Sequence, residues 1–472
     1  MDYKKLDSIV DSYKDDIIRD IQKWVRVPSV LGEKKPNAPF GDEVRRMLDL
    51  ALDTAKGYGF ATRDLDGYCG DVTLCEGKQT MGMLCHLDVV PAGDGWTKDP
   101  WGGEVADGKL YGRGTMDDKG PALAALHAMR AVREAGIPMT DGVRLILGCD
   151  EETGMTDMAY YKTKLPAPDY GFSPDAEFPV INIEKGGLSL TLSQYTGSED
   201  GAEIPVYELY AGERCNVVPG IATAKVGFKG LGYAELSGRM VEAASKYGFT
   251  MTMEEAGDGV ALITAEGVSA HASMPHLGKN AAGMLLIALK EMGAGGGVRS
   301  AIAALADKLG LEHDGKTLGI AISDEESGAL TCNLGLLRFD GKNISAQLDI
   351  RYPLSADEEK MCGQAAMAIS GTGLSVRRNG GHTPHHVPKD HKVVKGLVKV
   401  YSDVTGTPGY AFAIGGGTYS RCMPNTVAFG FNVPGDTETC HMPDEYVDIE
   451  KLMLSVKIFA HAIAELAGAE VE

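Results

Sequence analysis

The chain has 472 residues, 44% of them hydrophobic and 24% charged, so it can bury more than one hydrophobic core and is expected to form two domains. A formal net charge of −20 argues against nucleic acid as a partner, because phosphate contacts need a basic surface. No uncharged apolar run is long enough to span a bilayer, which argues against a membrane. The nine cysteines lack paired CxxC spacing and point to reduced thiols in a cytoplasm.

Residues 1–24 place Leu6, Ile9, Val10, Tyr13, Ile17, Ile18, Ile21 and Trp24 at helical spacing, which predicts an amphipathic helix rather than a signal peptide. Residues 80–91, TMGMLCHLDVVP, read as a buried strand entering a loop. Residues 120–136 read as a helix with Pro121 in its first turn, and residues 141–154 as a second strand ending in acidic loop residues. Strand and helix patterns alternate here, which predicts βαβ units and an α/β fold with a mixed, mostly parallel sheet sandwiched by helices. From about Lys185 the pattern changes to longer alternating strands with many glycines. A hairpin is expected to turn at Asp340-Gly341, with Ile344, Ala346, Leu348 and Ile350 on one face and Ser345, Gln347, Asp349 and Arg351 on the other. The expected organisation is an α/β domain formed by 1–184 and 384–472, interrupted by an inserted α+β domain at 185–383.

Acidic and imidazole side chains recur where strands end. His86 and Asp88 lie two apart, so alternation puts them on one side. One can ligate a metal while the other fixes its tautomer, or both can ligate; a turn histidine with an aspartate cap is the ordinary alternative. Asp117 follows a glycine-rich approach in GRGTMDDKGP, residues 112–121, and a single carboxylate can bridge two cations about 3.5–4 Å apart. Asp118 would then turn toward backbone amides or Lys119. Glu151 and Glu152 are adjacent and point in opposite directions, which suits one to bind metal and the other to hold attacking water as a general base. Asp175 follows another strand, and His441 precedes the final helix. Each has a plain reading as a loop residue. Together, His86, Asp117, Glu152, Asp175 and His441 offer imidazole and carboxylate donors without thiolate, a mixture suited to a catalytic Zn, Mn or Co site.

The segments CHLDVVPAG, GRGTMDDKGP, CDEETG, SPDAEFP, SAHASMP and IGGGTYSR resemble, in order and wording, the dinuclear metallopeptidases of the aminoacylase, carboxypeptidase G and acetylornithine deacetylase family. The resemblance covers essentially the whole chain and is greatest to the peptidase V type of bacterial dipeptidase, which includes carnosinase-like Xaa-His and β-Ala-Xaa enzymes. It implies that His86 and Asp175 bind one metal ion, Glu152 and His441 the other, and that Asp117 bridges the two. It further implies that Asp88 supports His86, that Glu151 is the general base, and that His271 of the inserted lid stabilises the oxyanion. Asn216 and Arg351 match positions that hold the substrate's terminal carboxylate, and a guanidinium fork suits that task. Gly415 and Gly416 would allow close backbone approach to substrate; their loop lacks the GK[ST] of a nucleotide site. His127 and His461 fall within amphipathic helices and are expected to be packing or surface residues.

The expected function is hydrolysis of dipeptides bearing a free carboxylate by water activated at two divalent ions, zinc first with manganese or cobalt possible. Domain closure would bring His271 into play, and the large lid favours a self-sufficient monomer without excluding a dimer. An N-acyl amino acid deacylase such as succinyl-diaminopimelate desuccinylase is the alternative enzyme, and a metal- or peptide-binding protein without catalysis is the alternative from another class.

Overall fold

The structure is a computed structural model that describes residues 3–197, 201–228, 230–257 and 259–469. The chain divides into two compact units, Met1–Ile183 with His385–Phe412 and Gly417–Glu472, and Glu184–Pro384 with Ala413–Gly416.

The first unit is built on a sheet whose strands run in the order Ala61–Leu65, Cys69–Cys75, Gly142–Gly148, Thr80–His86, Tyr170–Ser173, Thr426–Ala428, Val180–Glu184 and His385–His386. Its centre is parallel, since Thr80–His86 pairs in parallel with both Gly142–Gly148 and Tyr170–Ser173, and Tyr170–Ser173 does so with Thr426–Ala428. Antiparallel strands flank that centre. Alternation along the strands explains the layering. Met81, Met83 and Cys85, with Val143, Leu145 and Leu147, enter the main core shared with the Lys119–Ala135 and Ile449–Ala467 helices. Leu84 and Ile146 enter a smaller core with Met158 and Tyr161 of the Thr156–Lys164 helix. A sheet buried on both faces needs near-continuous apolar strands, and Gly142–Gly148 is buried at every position.

The single helix expected near the N-terminus is two, Tyr3–Ser12 and Lys14–Val25; Met1 and Asp2 lie outside the described residues. Tyr13 stands between them, with φ −93° and ψ 0°. Its hydroxyl donates to Glu134, and the Arg130 guanidinium lies 3.8 Å from its ring centre, so contacts to the Lys119–Ala135 helix anchor the break.

The second unit holds an eight-stranded sheet in the order Thr250–Glu255, Val260–Glu266, Ile221–Gly227, Val206–Ala211, Thr331–Phe339, Asn343–Tyr352, Gly186–Tyr195 and Ser375–His382, antiparallel throughout. The hairpin turns at Asp340-Gly341, where the Asp340 carboxylate accepts the N–H groups of Lys342 and Asn343. Ile344, Ala346, Leu348 and Ile350 face a core shared with the Ala281–Glu291 and Arg299–Lys308 helices, which leaves Asp349 and Arg351 on the opposite face of the sheet. Among the described residues no helix is long and apolar enough to cross a membrane.

Candidate metal centre

Three parallel strands deliver the acidic residues to one edge. His86 is the last residue of Thr80–His86, Glu151 and Glu152 follow Gly142–Gly148, and Asp175 follows Tyr170–Ser173. In an open α/β sheet this carboxyl edge is where ligands bind. Asp117 lies in the turn that enters the Lys119–Ala135 helix, and His441 in a loop before Tyr446–Asp448.

These groups meet. His86 Nε2 lies 2.8 Å from Asp117 Oδ1 and 3.7 Å from Asp175 Oδ2. His441 Nε2 lies 3.0 Å from Asp117 Oδ2 and 3.0 Å from Glu152 Oε1. Thus the two oxygens of Asp117 face different histidines. Donor atoms of His86, Glu151 and Asp175, and those of His86, Asp117 and Glu152, each lie within 4.8 Å of one another. His441 has φ 62°, a left-handed conformation costly for a residue with a side chain and met at sites the surrounding structure over-determines.

The supports of the site are as specific as its donors. His86 Nδ1 donates to the Asp88 main-chain oxygen at 2.8 Å, which leaves Nε2 of the neutral ring as the ligating nitrogen. The Asp88 carboxylate, 3.4 Å from that ring, accepts the main-chain N–H groups of Glu151 at 3.2 Å and Glu152 at 3.1 Å. Asp118 turns away from Asp117 and accepts the His86 N–H at 2.9 Å. Three further residues escaped the sequence reading. Glu445 Oε1 accepts from the N–H groups of Gly114, Met116 and Asp117 at 3.0, 2.9 and 3.2 Å. Asp157 accepts the Asp150 N–H at 3.0 Å and the Tyr419 hydroxyl, bracing the turn that carries Glu151. Burial is their common property, and a lone acid or tyrosine in an acidic chain carries no periodicity that would reveal it.

Burial first, then neighbouring like charge, raises the carboxyls of Glu151 and Asp175 well above their ordinary range; Asp175 acts on Glu151, and Asp117 on Asp175. Glu152 is raised by burial and Asp117. Burial alone would lower His441, but hydrogen bonds to Asp117 and Glu152 outweigh it and raise the imidazole to about 11. Burial would likewise raise Asp117, yet its bonds to His441 and His86 hold it well below the usual carboxylate range. So many acids in one buried volume call for compensating positive charge. Nitrogen and oxygen donors at these separations fit divalent cations of the zinc, manganese or cobalt kind. The nearby Cys440 thiol is held neutral, chiefly by burial.

The remaining candidates lie in the second unit. Val217, next to Asn216, bridges to His271, and the Asn216 main-chain oxygen accepts the Ala272 N–H at 2.9 Å. His271 Nδ1 lies 2.7 Å from Ser273 Oγ and accepts the Ser273 main-chain N–H at 3.3 Å. An amide can only donate, so the neutral ring carries its hydrogen on Nε2. Arg351 donates from Nε and Nη2 to Asp349, at 2.6 and 2.9 Å, and from Nη1 to the Gly415 main-chain oxygen at 3.2 Å. A Cβ on Gly415 would stand 2.7 Å from that of Ser273, so glycine is needed for this approach; one on Gly416 would meet only Ile414, at 3.6 Å.

An α/β unit with helices on both faces of its sheet, gathering imidazoles and carboxylates at the carboxyl edge of that sheet, defines the class of a metal-dependent hydrolase. The sequence matches Peptidase family M20/M25/M40 over residues 82–465, and the chain belongs to that family. It is 36% identical to "Putative dipeptidase YtjP" of Bacillus subtilis (strain 168) over 463 residues, covering 96% of this chain and 98% of the relative. It is 34% identical to the Beta-Ala-Xaa dipeptidase of Lactobacillus delbrueckii subsp. lactis over 471 residues, with 98% of each covered. Its fold is similar to that of human carnosine dipeptidase 1, with a TM-score of 0.58 at 16% identity and 98% of each chain covered.

Proposed function

We propose that this chain is a metal-dependent dipeptidase that hydrolyses the peptide bond of dipeptides with a free carboxylate. His86, Asp117, Glu152, Asp175 and His441 would hold two divalent cations, with zinc favoured over manganese and cobalt. The observation that carries this reading is the placement of Asp117, with Oδ1 2.8 Å from His86 and Oδ2 3.0 Å from His441, as a carboxylate shared between two ion positions requires. An N-acyl amino acid deacylase would use the same chemistry, but the two sequence relatives described above bear dipeptidase names.

When bound, the cations supply Lewis acidity that polarises the scissile carbonyl and readies water for attack. Glu151 takes the proton from that water and delivers it to the leaving amine. Asp88 fixes the His86 tautomer and the Glu151–Glu152 backbone. His271 donates its Nε2 hydrogen to the oxyanion, a contribution of about 2.7–4 kcal/mol for one donor of this kind. Asn216 and Arg351 hold the substrate's carboxylate, while Gly415 and Gly416 admit it close to the backbone. The first unit acts as the catalytic domain and the second as the substrate-holding lid. The large inserted unit supports action as a monomer. None of the nine cysteines is in a disulfide, which supports a reducing compartment such as the cytoplasm.

The test is a panel of dipeptides and N-acyl amino acids assayed on metal-stripped protein reconstituted separately with Zn, Mn and Co. Dipeptide cleavage that returns with metal is expected. Brisk N-acyl hydrolysis without dipeptide cleavage would overturn the choice of substrate.

A further inference from the structure

The turn carrying Asp117 and the loop carrying His441 are joined by one buried carboxylate, Glu445, which is 0% exposed. Its Oε1 takes three main-chain N–H groups, those of Gly114, Met116 and Asp117, at 3.0, 2.9 and 3.2 Å. Its Oε2 pairs with the Arg113 guanidinium, itself 1% exposed, and its main-chain oxygen accepts the Gly112 N–H at 2.9 Å. Every polar atom of the residue that can accept is thus turned on residues 112–117. Glu445 lies four residues past His441, so the loop that presents the imidazole also grips the turn that presents the carboxylate. Two glycines in that turn, Gly112 at φ 149° and Gly114 at φ 91°, give it little stiffness of its own.

We propose that Glu445 is the positioning residue that sets Asp117 between His86 and His441 for cation binding, an inference that rests on the metal-centre reading above. Accepting the Asp117 N–H fixes the main chain from which that carboxylate projects. A carboxylate meant only to neutralise Arg113 would need no contact with three amides. Removing a support of this kind weakens metal binding while leaving the ligands in place.

The experiment is zinc affinity, measured on the full chain by competition with a chromophoric chelator. Arg113→Met should lose stability yet bind zinc as wild type does, because the amide-accepting oxygen remains. Arg113→Met/Glu445→Leu should bind roughly 10- to 100-fold more weakly. Arg113→Met/Glu445→Gln should restore the affinity, since the glutamine oxygen can accept the same three N–H groups. Glu445→Asp, which keeps the charge but draws the oxygens back from the amides, should weaken binding and serves if the leucine variant does not fold. Wild-type affinity in Glu445→Asp or in the leucine variant overturns the proposal, as does failure of glutamine to restore it. A wild-type chain that binds zinc no better than His86→Ala sinks the metal-centre reading itself.

Discussion

Asp88 holds Glu152 by the backbone: Oδ2 of the first accepts the main-chain N–H of the second at 3.1 Å, while Oδ1 takes that of Glu151 at 3.2 Å. Asp88 therefore supports His86 and also sets the turn that presents the paired glutamates. Asp88→Ala should lower zinc affinity roughly 10- to 100-fold, as loss of an outer support does at other metal sites. Asp88→Asn keeps one acceptor and should fall between. Zinc content at buffered free zinc is the measurement, and wild-type content in the alanine variant would remove Asp88 from the centre.

Glu151→Gln tests the general base. The amide retains size and polarity but cannot take a proton, so kcat on a dipeptide should fall about 10²- to 10⁴-fold. Metal content should stay at the wild-type level. An unchanged rate would assign the proton transfer elsewhere.

His271 and Ser273 make a prediction about tautomers. With Nδ1 accepting from Ser273, the ring offers Nε2–H to an oxyanion. His271→Ala should cost about 10²- to 10³-fold in kcat, the usual loss for one such donor. Ser273→Ala should cost less and should also shift the imidazole nitrogen resonances toward a mixture of tautomers. If the nitrogen spectrum of the wild-type enzyme shows hydrogen on Nδ1, the assignment fails.

Acid stability should depend on Asp20. Burial would raise this carboxyl, but hydrogen bonds from His127, Tyr58 and Lys23 prevail and lower it to about 2. A depressed carboxyl stabilises the fold above its unfolded value, near 3.9, and loses that contribution as pH falls through the folded value. Asp20→Asn should therefore melt below wild type at about neutral pH, and the gap should close between about pH 4 and 2. A gap constant over that range would exclude the ionised form as the source.

Much of the fold was legible because its patterns are local. The alternation through Asn343–Tyr352 separates Ile344, Ala346, Leu348 and Ile350 from Asp349 and Arg351, as expected of a sheet with one covered face. The near-continuous apolar run in Gly142–Gly148 announces a strand buried on both sides. The break at Tyr13 was not legible, since its anchors, Glu134 and Arg130, lie on another helix.

By itself, then, the sequence determined the period of each element, the places where strands run into acidic loops, and the kinds of donor found there. Tertiary structure alone decided which donors meet. His441 and Glu152 are 289 residues apart, and Glu445 and Met116 are 329 apart. No local period links residues so distant. Their contacts arise from the order in which strands cross the sheet and from the burial of unpaired polar groups, which must find partners wherever packing brings the chain together.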